Sequence, residues 1–213
     1  MSWLSRLIAA RGNQPPLSAE AQSRLRQWRQ LPPPELDRPH FETRYAVVNT
    51  EATGLDLDSD RLLAVGGLAV DGGLIHPQDA YYAPLQPAPA DALAGLFSLF
   101  ANSPLIAFNA GFNRSMLERA LQAHLGITPE LPWIDLYFIL PALFQDRFAR
   151  PARLADWMSS FGIETFQRHH ALGDAWAIAQ LLLAAQARAL TLGAATPRAL
   201  ADIERASRQK WSL

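Results

Sequence analysis

No cysteine occurs in this chain. Disulfides, thiolate metal centres and cysteine nucleophiles are therefore excluded. Charge is scarce as well: charged residues make up 18% of the sequence, and 19 basic against 20 acidic side chains leave a net −1. Such a balance argues against a broad basic face that tracks a nucleic-acid polymer, while a local pocket holding a few phosphates stays compatible with it. Long apolar runs are also missing, and none reaches the roughly 20 residues of a membrane span. Residues 1–11 are apolar but short and carry Arg6, which does not match a secretory signal. They read as a short helix packed on the domain, or as a weak amphipathic docking segment. The expected location is cytoplasmic. No coiled-coil seam is visible to set an oligomeric state.

What the chain does have is 213 residues, 49% of them apolar, enough for one domain with a sizeable core and extensions. Residues 1–40 read as a helical N-terminal extension. Pro15, Pro16 and Pro32 to Pro34 bracket a helix over about 18–30, with Ser18 as N-cap and Glu20 in its first turn. Arg24, Arg26 and Arg29 suit the other end of its dipole. The main domain is expected over 41–190, and Pro197 after Thr196 opens a C-terminal helix within 191–213.

Within the main domain, 45–48 is a short apolar strand and 61–70 a second. The Asp71-Gly72-Gly73 hairpin signal leads into a third strand at 74–83. Gly66 and Gly67 inside a strand predict a bulge or a close neighbour. A helix at 91–101 shows Leu93, Leu96, Phe97 and Phe100 on one face. A strand at 105–108 precedes a helix at 110–124 that buries Phe112, Met116, Leu117, Ala120 and Leu121. A fifth strand at 133–136 and helices near 137–145, 152–161 and 171–190 follow. Three antiparallel strands and then strands alternating with helices predict an α/β fold around a mixed five-stranded sheet.

Three polar clusters punctuate this framework. Asn49 and Glu51 are two apart on a strand and share a face if the strand stays extended there. Asn109 is placed as a helix N-cap, with Asn113 one turn further on. Asp174 lies in the first turn of a long apolar helix, where the dipole favours a carboxylate. His169, five residues before it, can sit over the same pocket as a general base, although the adjacent His170 competes for that role.

Taken in order, these clusters resemble the DnaQ-like DEDDh exonucleases, whose members include polymerase proofreading subunits, RNase T and oligoribonuclease. The family's first motif reads roughly Asp-Thr-Glu-Thr-Thr-Gly-Leu, and here Asn49-Thr50-Glu51-Ala52-Thr53-Gly54-Leu55 stands in its place. The second, His-Asn-x-x-Phe-Asp, corresponds to Phe108-Asn109-Ala110-Gly111-Phe112-Asn113. The third, His-x-Ala-Leu-x-Asp-Ala, corresponds to His169-His170-Ala171-Leu172-Gly173-Asp174-Ala175. The segment from Leu154 through Trp157 to Gly162 also looks like the family's stretch ahead of the third motif.

The resemblance implies a ribonuclease H-like fold and 3′–5′ hydrolysis of phosphodiesters that releases nucleoside 5′-monophosphates. It implies two Mg²⁺ or Mn²⁺ ions, a single-stranded DNA or RNA 3′ end as ligand, and a protein partner such as a polymerase. By position, Glu51 and Asp174 match metal ligands and His169 the general base. Thr53, Gly54, Leu55, Asn109 and Phe112 match the nucleotide pocket, with Leu55 against the terminal base.

Three departures cut across that expectation. Asn49 and Asn113 occupy metal-ligand positions where the family carries carboxylates, and Phe108 replaces a histidine. An amide keeps an oxygen donor but loses the charge that holds a divalent ion. Asp56, Asp58 and Asp60 in the following loop, or Asp135, could restore it. The sequence thus supports an exonuclease impaired at Asn49 and Asn113. The alternative is an inactive nucleic-acid-binding or protein-interaction module.

Overall fold

The computed structural model describes residues 17–211. The expectations for 1–11 and for Pro15 and Pro16 lie outside the described residues. Among the described residues helix α1 (Ala19–Arg29) comes first, its N-cap Ser18 accepting from the Ala21 N–H. Strands β1 (Tyr45–Ala52), β2 (Leu62–Asp71) and β3 (Leu74–Pro84) follow. Then come α2 (Pro89–Phe100), β4 (Leu105–Ala107), α3 (Ala110–Leu125), β5 (Trp133–Asp135) and α4 (Leu136–Leu143). Helices α5 (Leu154–Phe161), α6 (Ala171–Thr191) and α7 (Pro197–Trp211) complete the described residues.

The sheet order is β3-β2-β1-β4-β5. The pairs β1–β2 and β2–β3 are antiparallel, and β1–β4 and β4–β5 are parallel. This is the ribonuclease H-like mixed sheet that the sequence predicts. Alternation along β1 sorts its side chains between two cores. Ala46 and Val48 join the core with α1, α2 and α3, whereas Tyr45 and Val47 join the one with α4, α6 and α7. Strand β1 runs four residues beyond the predicted 45–48 and stays extended through Ala52. Asn49 and Glu51 therefore belong to the α6-facing set and Thr50 to the α3-facing set.

The two strand glycines are sites of close approach. A Cβ on Gly66 would stand 2.7 Å from the Leu172 nitrogen at the start of α6, and one on Gly67 would strike the Val47 carbonyl oxygen. Gly66 thus lets the N-terminus of α6 settle onto the sheet beside Asn49, its cross-strand partner. Helix α1 is seated on the core through buried Ala21 and Leu25, with Trp28 edge-on to Phe97 at 4.7 Å. Burial of a leucine such as Leu25 contributes about 1.5–3 kcal/mol. Phe112 departs from expectation. It is only half-buried, because the core-facing stripe of α3 runs through Asn113, Met116, Leu117, Ala120 and Leu121.

Candidate active site

The three motif segments meet where the C-terminal end of β1, the start of α3 and the start of α6 converge. Asn113 is 3% exposed. Its Oδ1 accepts from both the main-chain N–H and the hydroxyl of Thr50, each at 2.9 Å. Its Nδ2 donates to the carbonyls of Phe108 at 3.0 Å and Asn109 at 3.1 Å. All four hydrogen-bonding positions of the carboxamide are thereby used. The side chain ties β1 to the start of α3, and a carboxylate could not make the same set.

On the α6 side, Glu51 and Asp174 feel each other's charge. Burial raises the Glu51 carboxyl above its ordinary value, and the neighbouring Asp174 raises it further; His169, His170 and Arg168 oppose the shift. Burial likewise raises Asp174, opposed first by Arg168 and then by His169. The Arg168 Nε lies 3.4 Å from Asp174 Oδ1, yet that buried oxygen receives no hydrogen bond. The contact is one of charge without donor alignment. Arg168 is braced by the Met158 sulfur from α5, whose Trp157 is fully buried among Phe144, Phe148 and Phe161.

The two histidines diverge. His170 is the N-cap of α6, its Nδ1 accepting from Gly173 N–H at 3.3 Å. Its ring stacks on Tyr82 with centroids 4.3 Å apart. His169 is exposed and sits at φ 53°. A Cβ on Gly173 would fall 1.9 Å from the Gln167 carbonyl oxygen, so glycine is what lets the loop carrying both histidines fold back on α6.

In the first-motif loop, Thr53 donates to Asp60 Oδ1 at 2.6 Å and Asp60 Oδ2 accepts from the Asp56 N–H at 2.8 Å. Asp56 in turn accepts from Asp58 N–H and the Ser59 hydroxyl. Asp56 and Asp60 are thus occupied in shaping the loop that presents Leu55, which is 82% exposed. Asp135 is committed too. Its Oδ1 accepts from the main-chain N–H groups of Asn109 at 2.9 Å and Tyr137 at 3.0 Å, and its Oδ2 faces Arg208 at 3.5 Å. Burial pushes its pKa up to about 6. Asn109 stands at the N-cap position of α3 with φ 62°, but its side chain makes no capping bond. The Asp135 carboxylate, rather than the Asn109 amide, takes up main-chain N–H groups at the entrance to α3.

These residues do not fit a pair of divalent ions. Among the described residues, no group of three or more His, Asp or Glu side chains could hold a metal ion. The Asn113 amide, which the resemblance set at a metal-ligand position, is saturated by protein, and a guanidinium already faces Asp174. Arg168, Tyr82 and the nearby Phe166 were not singled out from sequence. The position of Arg168 directly before His169 was the one available hint.

No protein-family model matches the chain. Two curated relatives, PolC-type DNA polymerase III from Thermotoga maritima and from Thermotoga petrophila, are each 24% identical over 165 and 162 residues. The matches cover 67% and 65% of this chain but only 12% of either polymerase, so the chain spans about an eighth of their length. Among solved structures, Escherichia coli exonuclease I in complex with a dT13 oligonucleotide aligns with a TM-score of 0.57 at 15% identity. That alignment covers 70% of this chain and 42% of the exonuclease. A second exonuclease I structure gives 0.55 at 15% identity over 74% and 42%.

Proposed function

We propose that this chain, by its fold a DnaQ-like member of the ribonuclease H-like superfamily, binds single-stranded nucleic-acid 3′ ends in the family's pocket and has lost two-metal hydrolysis. The observation that carries this reading is the Asn113 carboxamide, all of whose hydrogen-bonding capacity is spent on Thr50 and the α3 entrance. A position that should grip a cation instead holds two elements together.

The rest of the pocket supports ligand binding. Leu55 projects into solvent on the loop that follows Glu51; in this reading it meets the terminal base, with Thr53, Gly54, Asn109 and Phe112 forming the surround. Single-stranded DNA is the favoured polymer, since exonuclease I was solved with such a strand. The likeness to PolC-type polymerases favours a replicative polymerase as a protein partner. Were Mg²⁺ or Mn²⁺ to bind, Glu51 and Asp174 would be its carboxylate ligands, with Arg168 opposing it. No helix among the described residues is long and apolar enough to cross a membrane.

The test pairs binding with hydrolysis. A 5′-labelled single strand is titrated by fluorescence anisotropy, and a 3′-labelled strand is incubated in Mg²⁺ and in Mn²⁺, for the unaltered chain and for Asn49→Asp with Asn113→Asp. Binding by both proteins and cutting only by the double variant is the expected result. Efficient cutting by the unaltered chain would show that another group completes a metal site.

A further inference from the structure

Strand register carries the site beyond the three motifs. Asn49 pairs with Gly66, and Gly66 pairs with Tyr82 on β3. Residues directly opposite one another in an antiparallel pair share a face. Asn49 and Tyr82 therefore lie on the α6-facing side of the sheet, two strand spacings or about 10 Å apart. Gly66, between them, has no side chain to close the gap. The N-terminus of α6 enters there and brings His170 onto Tyr82.

The result is an aromatic group beside the Glu51 and Asp174 pocket. The Tyr82 and His170 rings stack at an interplanar angle of 25°, and Phe166 meets the His170 ring edge-on with centroids 5.8 Å apart. Phe166 is 64% exposed and Tyr82 42%. These rings sit at the rim of the cores, so burial of their faces does not explain them. Unpaired nucleobases offer flat faces that stack on such rings irrespective of sequence. A chain of net charge −1 has little phosphate attraction to rely on, which makes stacking the larger source of affinity.

We propose that Tyr82, His170 and Phe166 form a stacking platform for unpaired nucleobases next to the terminal one, on the β3 side of the pocket. The platform extends the 3′-end reading above and rests on it. It gives the site a ligand class, single-stranded nucleic acid with intact bases, and an affinity that depends weakly on salt.

The experiment compares a 5′-labelled oligothymidylate with the same strand carrying abasic residues just behind its terminal nucleotide, by anisotropy at low and moderate salt. The proteins are the unaltered chain, Phe166→Ala and Phe166→Trp, each checked for an unchanged melting temperature. Stacking of one base is worth about 1–3 kcal/mol, or about 5- to 150-fold. Phe166→Ala is expected to weaken binding of the intact strand by at least about fivefold and to lose the preference over the abasic strand, which Phe166→Trp retains. Binding by the unaltered chain that neither Phe166→Ala nor the abasic sites alter would overturn the platform alone. Failure of the unaltered chain to bind either strand would overturn the 3′-end reading and the platform with it.

Discussion

Asn113 accepts twice from one residue: its carboxamide oxygen lies 2.9 Å from both the main-chain nitrogen and the hydroxyl oxygen of Thr50. Thr50 sits between Asn49 and Glu51 on β1, so this pair bolts the strand that carries the first motif to the helix that carries the second. The bond set depends on the amide having one accepting and one donating end.

Asn113→Asp alone should therefore destabilise the fold at neutral pH. One carboxylate oxygen can still accept from Thr50, but the other would face the carbonyls of Phe108 and Asn109, which now receive hydrogen bonds. Loss of those bonds in a buried setting costs about 1–3 kcal/mol. Burial and the two carbonyls would raise the pKa of the new carboxyl, so stability returns as pH falls and protonation restores a donor. Urea unfolding at pH 7.5 and pH 5 checks this. A variant as stable as the unaltered chain at pH 7.5 would remove the structural role assigned to the amide.

Arg168 opposes the burial that raises Asp174 and Glu51. Arg168→Gln leaves the buried Asp174 carboxylate without its facing cation and should cost about 1–3 kcal/mol, below the figure for a fully buried pair because Arg168 is partly exposed. The folded-state pKa of Asp174 rises further, so the penalty is largest above it and shrinks as pH falls. The same change, added to Asn49→Asp with Asn113→Asp, should tighten Mn²⁺ binding by calorimetry, because a positive charge leaves the place a divalent ion would take. Equal Mn²⁺ affinity with and without Arg168 would show that the guanidinium does not compete with the ion.

Asp135 titrates at about 6 in the folded chain, against about 3.9 for an unfolded aspartate. Between these values the folded state holds a proton that the unfolded state has released. Its contribution to stability is therefore present at pH 4 and lost as pH rises through 6. Asp135→Asn stays neutral throughout and can still accept from Asn109 and Tyr137. The variant should gain on the unaltered chain by roughly 2–3 kcal/mol between pH 4 and pH 7. Parallel stability profiles for the two proteins would place the ionisation elsewhere.

The strand alternation, the hairpin at Gly72 and Gly73 and the order of the three motifs were enough to read the sheet and its helices from sequence, since each is a local signal with a fixed period. The reach of β1 was only partly legible: the spacing of Asn49 and Glu51 suggested it, but only on condition that the strand stayed extended. Asn49, Thr50 and Glu51 are polar, and the first two are buried by neighbours distant in sequence, so hydrophobic pattern alone stopped at Val48. Phe112 was misread because Asn113, a polar residue, takes the buried position on α3. The loop acids looked free to serve a metal until Asp60 was found bound to Thr53 and Asp56, and Asp135 to Asn109. Tyr82 escaped notice because its neighbour His170 is 88 positions away and joins it only through the gap at Gly66.

The bonds around Asp135 also reach to the far end of the chain. Glu204 on α7 accepts from the Asp135 N–H at 2.9 Å, Arg208 on the same helix faces the Asp135 carboxylate, and Asp135 holds the backbone of Asn109. The last helix is in effect a latch on the second motif. A protein that grasps α7 would have its hand on the 108–113 loop without touching the pocket, and trimming the chain before Glu204 would slacken that loop from behind.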